Sequence, residues 1–176
     1  MEIRTPRLML RPVTMADLAT THAYAGDLEN SRIMMFLPYT DEAETAAALR
    51  EAVEMWQMDA PERYEFALCL ADGSHIGGLT LYMMEDRTEA ELGWVLHKAY
   101  WRKGYVTEAA RALMDHARRL GVRRIFACCD SENVASYRAM EKLGMRLCGQ
   151  GTRTNRSMGD EARVELIYDI RFDGRN

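Results

Sequence analysis

Residues 95–109 read Val95-Leu96-His97-Lys98-Ala99-Tyr100-Trp101-Arg102-Lys103-Gly104-Tyr105-Val106-Thr107-Glu108-Ala109. An apolar, strand-like run gives way to a short basic turn that holds one glycine, and an amphipathic helix follows at once. Such an order directs the unpaired N–H groups of a helix start, with the positive end of its dipole, out past the end of a strand. That is a seat for a phosphate or diphosphate group. Glycine at 104 permits a tight turn and lets an anion approach where a Cβ would stand in the way. The same residues also suit the plain start of an ordinary helix, since short glycine patterns are weakly specific.

Other reactive side chains form no comparable constellation. His22, His75, His97 and His116 are scattered without a serine or cysteine partner, so no catalytic histidine is assigned. Cys69, Cys128, Cys129 and Cys148 lie in strand-like apolar stretches. They form no C-x-x-C pair and have no histidine at zinc-ligand spacing, so buried reduced thiols are expected and no metal. The phosphate-loop pattern G-x-x-x-x-G-K-[ST] is absent, which argues against a nucleotide-binding protein with a phosphate loop.

With 176 residues, 48% hydrophobic and 28% charged, the chain suits a single domain over 1–176 with a sizeable core. A net charge of −4 argues against a broad nucleic-acid footprint. No apolar run approaches the ~20 residues that span a bilayer. The opening residues lack the apolar core of a secretory signal. Neither nucleic acid nor membrane is expected as a partner, and a cytoplasmic location is.

The elements that must position the turn follow from periodicity. Arg7 to Pro12 alternates and stops at proline, as a first strand does. Thr14 with Asp17 opens a helix through Leu18 and Tyr24 that ends at Gly26-Asp27, and Asn30-Ser31 adds turn chemistry. Thr40-Asp41-Glu42 opens a second helix with Ala46, Leu49, Val53 and Trp56 on one face. Between the two helices, Met34-Met35-Phe36-Leu37 is apolar, as core or as the wall of a cleft. Glu65–Ala71 and Ile76–Tyr82 form a hairpin about Asp72-Gly73, and Ala90–Leu96 is a third strand. After Gly104, Val106, Ala109, Ala110, Leu113, Ala117 and Leu120 share a helix face, closed by Gly121. Arg124–Cys129 reads as a buried strand. The intervening helix makes it parallel to the strand ending at Leu96. Asn133 caps a short helix that Gly144 closes, and two late strands follow around Met145–Gly149 and Arg163–Ile170. The fold class is a mixed α/β sheet.

Taken together and in order, these segments resemble the GNAT superfamily of acyl-CoA-dependent N-acetyltransferases, most closely its ribosomal-protein N-terminal acetyltransferase branch. The resemblance rests on Thr5–Pro12, on Ala90–Trp94 followed by Tyr100–Ala109, and on Asn133–Ser136 through Glu141–Met145. It implies a mostly antiparallel sheet with helices on both faces and a central parallel strand pair splayed apart to hold acetyl-CoA, the co-substrate. The pantetheine arm would then pair with backbone at Trp94, Val95 and Leu96. The diphosphate would meet the amides of Arg102, Lys103, Gly104, Tyr105, Val106 and Thr107, and Asn133 would both cap its helix and hold pantetheine. Two positions depart from the pattern. Trp101 stands where Gln or Arg is usual, and Val106 where a smaller residue is.

The activity implied is direct attack of a primary amine, a protein N-terminus or a small molecule, on the acetyl thioester in a ternary complex. A free amine is mostly ammonium at neutral pH, so a base is required. Glu91 matches the base carboxylate of some family members, and it can equally be a strand glutamate paired with a cation. Asp130 is the alternative base. The oxyanion needs a donor, placed at a strand amide near Val95. For the departing thiolate, Ser136 matches the serine of this branch and ranks ahead of Tyr137. Met140 occupies the position of the tyrosine that many members use, and a methionine donates no proton. That substitution keeps a second reading open, a coenzyme A-binding regulatory module without turnover. The acceptor is expected to be read by the first two helices, the Met34–Tyr39 run and the Gly151–Asp160 loop. The resemblance also allows a homodimer through a late strand.

Overall fold

The structure, a computed structural model, describes residues 1–172. Eight strands form one sheet: β1 (Ile3–Arg4), β2 (Leu8–Pro12), β3 (Arg63–Leu70), β4 (His75–Met83), β5 (Glu89–Leu96), β6 (Arg124–Asp130), β7 (Arg146–Arg153) and β8 (Arg163–Arg171). Their spatial order is β1-β2-β3-β4-β5-β6-β8-β7, and every neighbouring pair is antiparallel except β5 and β6. The helices are α1 (Leu18–Ala25), α2 (Leu28–Ser31), α3 (Glu42–Met55), α4 (Tyr105–Arg119) and α5 (Val134–Lys142). Among the described residues none is long and apolar enough to cross a membrane.

The period of two along β3 explains the layering. Phe66 and Leu68 turn to one face and join Leu113, Ala117, Met140 and Leu143 of α4 and α5 in the main core. Ala67 and Cys69 turn to the other face and meet Leu49 and Ala52 of α3. The small residues Ala109, Ala110 and Ala117, all fully buried, let α4 lie close on the sheet. The single parallel pair needs a crossover, and α4 supplies it.

Four local features differ from the sequence expectation. Asn30-Ser31 lies within the one-turn helix α2, because the Asp27 side chain accepts from the Asn30 N–H and nucleates it. The Thr14–Asp17 capping box first starts a single 3-10 turn at Met15–Asp17, which runs into α1. Leu120 is 64% exposed, because the helix ends at Arg119 and the backbone reverses at Gly121 with φ +98°. Cys148 is exposed on the edge strand β7, unlike the buried Cys69 and Cys129.

Candidate active site

The parallel pair is short. Only Glu89–Glu91 align with Arg124–Phe126; beyond them β5 continues beside β4 to Leu96, while β6 continues beside β8 to Asp130. The two strands therefore part after Glu91 and leave a wedge. The ladder decides which groups face it. His97 N–H donates to the Ile76 carbonyl, and Met84 N–H to the Glu89 carbonyl. In an antiparallel pair such bonds recur at alternate residues. The main-chain groups of Glu91, Gly93 and Val95 are thus turned to β4, and those of Leu92, Trp94 and Leu96 into the wedge. The Val95 amide is engaged with β4, so Val95 reaches the cleft by its side chain; the donors beside it belong to Trp94 and Leu96. Trp101 Nε1–H already donates to the Leu96 carbonyl at 2.7 Å and pins the turn beyond β5.

That turn carries two left-handed residues, Arg102 at φ 61° and Gly104 at φ 78°. Backbone of this shape gathers successive N–H groups into a concavity suited to anions. Gly104 is the N-cap of α4, and the first amide of the helix to find a main-chain partner is Glu108, bonded to the Gly104 carbonyl. Among the described residues the N–H groups of Arg102 to Thr107 make no main-chain bond.

The turn is braced from the far end of the chain. Glu108 accepts from Thr5 Oγ1 at 2.6 Å, from the Arg7 amide at 3.0 Å and from Arg7 Nε at 2.6 Å. Arg7 Nη1 also donates to the Lys103 carbonyl at 3.0 Å, and the guanidinium lies over the Tyr105 ring at 4.8 Å. Burial would raise the Glu108 carboxyl, but Thr5 and Arg7 together hold it below its usual range. The opening segment and the helix start, some hundred residues apart, are one unit.

A cleft of about 590 Å³ runs from the wedge across the sheet to α1 and α3. Glu91 stands on its floor at the point where β5 and β6 separate. Burial pushes its carboxyl up, the charge of Glu165 adds to this, and Arg153 offsets part of it. Arg153 is itself held by Glu165 at 3.4 Å and by Asn155 at 3.0 Å. Opposite Glu91, Cys128 is pushed up to about 12, by burial first and then by Glu91 and Glu165, so it stays a thiol. Asn133 Oδ1 accepts from the Ser136 N–H at 3.1 Å, and both side chains line the cleft.

The remaining sequence candidates separate cleanly. Asp130 is fully buried and takes up Arg163 at 3.0 Å, Asn155 at 2.6 Å and the Glu132 amide at 2.8 Å. Burial alone would raise its carboxyl, but these partners bring it below the ordinary aspartate range, the reverse of what a base needs. Asp130 is a structural anchor for β8 and not the alternative base. Met140 lies one turn beyond Ser136 on the same face of α5, but its side chain is buried in the main core and does not line the cleft. The Met34–Leu37 run and Arg153 and Arg156, from segments named as acceptor-reading on sequence, line the cleft. Unanticipated are Glu65, Arg63 and Tyr82 on β3 and β4. Their shared parity on adjacent strands was a signal, but only the register places them on the face that Glu91 uses.

Comparison with known proteins agrees with this geometry. The model of the GNAT acetyltransferase domain matches residues 7–146. The chain is 32% identical over 154 residues to the uncharacterised N-acetyltransferase YnaD of Bacillus subtilis, with 83% of each chain covered. Among solved structures, it resembles a GNAT-family acetyltransferase from Bacillus anthracis at 28% identity and a TM-score of 0.84, over 97% of this chain and 98% of that one. It also shares its fold with RimL, a ribosomal L7/L12 alpha-N-protein acetyltransferase solved in complex with coenzyme A. There the identity is 18% and the TM-score 0.85, over 99% of this chain and 100% of that one. A left-handed glycine opening the crossover helix, a parallel pair that parts after three residues, and these likenesses agree: the chain belongs to the GNAT acetyltransferases.

Proposed function

We propose that this protein moves the acetyl group of acetyl-CoA to a primary amine by direct attack within a ternary complex. The observation that carries this reading is the wedge itself. It has strand edges at Trp94 and at the Leu96 amide that pair with no neighbouring strand on one side, and an amide-rich, left-handed turn at its mouth. A pantetheine arm is an extended chain with two amides and suits such an edge. A diphosphate suits the Arg102–Thr107 turn, where the dipole of α4 and the side chains of Arg102 and Lys103 add positive potential. Asn133 can reach pantetheine while still capping α5.

In the reaction the amine nitrogen forms a bond to the acetyl carbonyl carbon, the C–S bond breaks, and coenzyme A leaves as a thiolate. Glu91 takes the proton that the nitrogen loses. Its raised carboxyl makes it a better base than an exposed glutamate, and its place at the wedge apex supports this role for a thioester held in the wedge. The oxyanion takes a hydrogen bond from a wedge-facing amide of β5, Trp94 or Leu96. The Ser136 hydroxyl hydrogen-bonds the leaving sulfur, where a methionine at 140 cannot.

The direct test measures thiol release from acetyl-CoA with and without a panel of amines, with acetylated product identified by mass spectrometry. Amine-dependent release supports transfer. Tight acetyl-CoA binding with no amine-dependent release of thiol overturns it.

A further inference from the structure

The acceptor end of the cleft contains charges that this chemistry leaves unused. Four carboxylates line it: Glu51, Glu65, Glu91 and Glu165, together with three arginines, Arg63, Arg153 and Arg156. Each arginine has a carboxylate of its own. Arg153 is 3.4 Å from Glu165, Arg156 holds Glu44 through both Nη atoms, and Arg63 Nη2 is 3.3 Å from Glu51. Arg63 Nε lies 3.8 Å from Glu65, outside hydrogen-bond reach. Among the described residues Glu91 thus has no ion pair, and Glu65 has only the longer share of Arg63, which sits closer to Glu51.

We propose that Glu65 seats a second cationic group of the acceptor, so that the preferred acceptor is a small amine bearing two positive charges. The inference rests on the acetyl-transfer reading above and names its substrate class. Three features converge on it. First, the strand register puts Glu65 and Glu91 on one floor. Glu65 stands opposite Thr80, which stands opposite Gly93, while Tyr82 stands opposite Glu91. Two strand spacings across and two residues along separate the Cα atoms by about 12 Å, a span that a short aliphatic diamine or triamine can bridge between side chains.

Second, the floor between them is uncharged. Thr80 and Tyr82 of β4 lie between the two strands, and the Tyr82 ring leans to within 3.8 Å of where a Gly93 Cβ would stand. A methylene chain can pack against that ring. Third, Glu65 has aromatic walls. Tyr24, Tyr39 and Tyr82 all border the cleft, and each phenol feels the Glu65 charge. A carboxylate among phenol rings recognises an ammonium by ion pairing and by attraction to the ring faces together. An acceptor with a carboxylate in that position would meet Glu65 with like charge, and a monoamine would leave Glu65 with only its 3.8 Å contact to Arg63, a guanidinium it shares with Glu51.

The experiment compares n-hexylamine with α,ω-diaminoalkanes of four to eight carbons as acceptors, in the wild type and in Glu65→Gln and Glu65→Asp. Calorimetry of the same amines on the coenzyme A complex accompanies it. The wild type should prefer its best diamine over hexylamine by about 10-fold or more in kcat/KM, the size of one charge-assisted contact. Glu65→Gln should collapse that ratio toward one, mainly through the diamine KM, and Glu65→Asp should keep most of it. Equal use of hexylamine and diamines by the wild type, or a ratio that Glu65→Gln leaves unmoved, overturns the assignment while acetyl transfer stands. The wild-type ratio requires no variant to fold. If no amine is acetylated, transfer falls, and calorimetry still decides Glu65: diamine heat lost in Glu65→Gln supports the seat, and none in the wild type removes it.

Discussion

The proposed donor end and the proposed acceptor end of the cleft are made of different material. At the proposed donor end the available groups are main-chain amides from one contiguous stretch, Trp94 through Thr107. Their arrangement follows from a strand end, two left-handed residues and a helix start. At the acceptor end the working groups are side chains from α1, β3, β4, β5 and β7, brought together only by sheet register. Every peptide carries the same amide, so a backbone grip tolerates sequence change outside its glycine. A side-chain wall does not, and one substitution can alter what it accepts.

Several substitutions test that contrast. The largest effect is expected at Glu91, where the two ends meet. Glu91→Gln should lower kcat by about 10²–10⁴-fold, the usual worth of a general base, and leave acetyl-CoA affinity unchanged by calorimetry. Because burial holds the Glu91 carboxyl above the ordinary glutamate value, and only the ionised form accepts a proton, kcat should climb with pH through a midpoint above 4.5. The variant should lose that limb, and an unchanged profile would remove Glu91 as base.

Next is Asp130→Asn, which removes the buried carboxylate and leaves Arg163 with Glu132 and Glu161. A loss of about 2 kcal/mol in denaturant unfolding is expected, the size of lost hydrogen bonds to a charged group. The wild-type sign follows from the same pairing. The folded carboxyls of Asp130 and Asp17 lie below their unfolded values, so their contribution is complete above about pH 5 and fades as pH falls toward and through the folded values. Gly104→Val should cost about 1–2 kcal/mol, because a side chain at φ 78° is strained, and should raise the KM for acetyl-CoA. Glu108→Gln should weaken acetyl-CoA several-fold by loosening the Arg7 brace, an effect of about 1 kcal/mol. S-acetyl-pantetheine, which lacks the diphosphate, should be used as before. Equal losses for both donors would assign Glu108 to general stability instead. Smallest is Ser136→Ala, where the loss of one hydrogen bond to the leaving sulfur should lower kcat by about 10-fold or less.

The legible parts of the molecule were the local ones. The turn at Gly104, the cap at Asn133, the hairpins and the amphipathic face of α4 all depend on residues within a few positions of one another, and each stands as expected but for Leu120, which lies past the helix end. Asp130 was misread because its neighbours in sequence say nothing of Arg163 and Asn155, which meet it from β8 and the β7–β8 connection. Arg7 is similar. Its alternating strand was plain, but its bond to Glu108 spans a separation that no local pattern encodes.

What the chain determined by itself was the local frame of the proposed diphosphate seat, a strand end, a glycine turn and a helix start about Gly104, because each depends on residues within a few positions of one another. Tertiary structure decided which main-chain groups are free for it. The parting of β5 from β6 after three residues turns the Trp94 and Leu96 edges into a wedge. It also decided the acceptor wall, since the register of three strands sets Glu65, Tyr82 and Glu91 on one floor. Parity along a strand is readable from sequence. The face that parity selects, and the neighbour it meets there, depend on how distant strands pair.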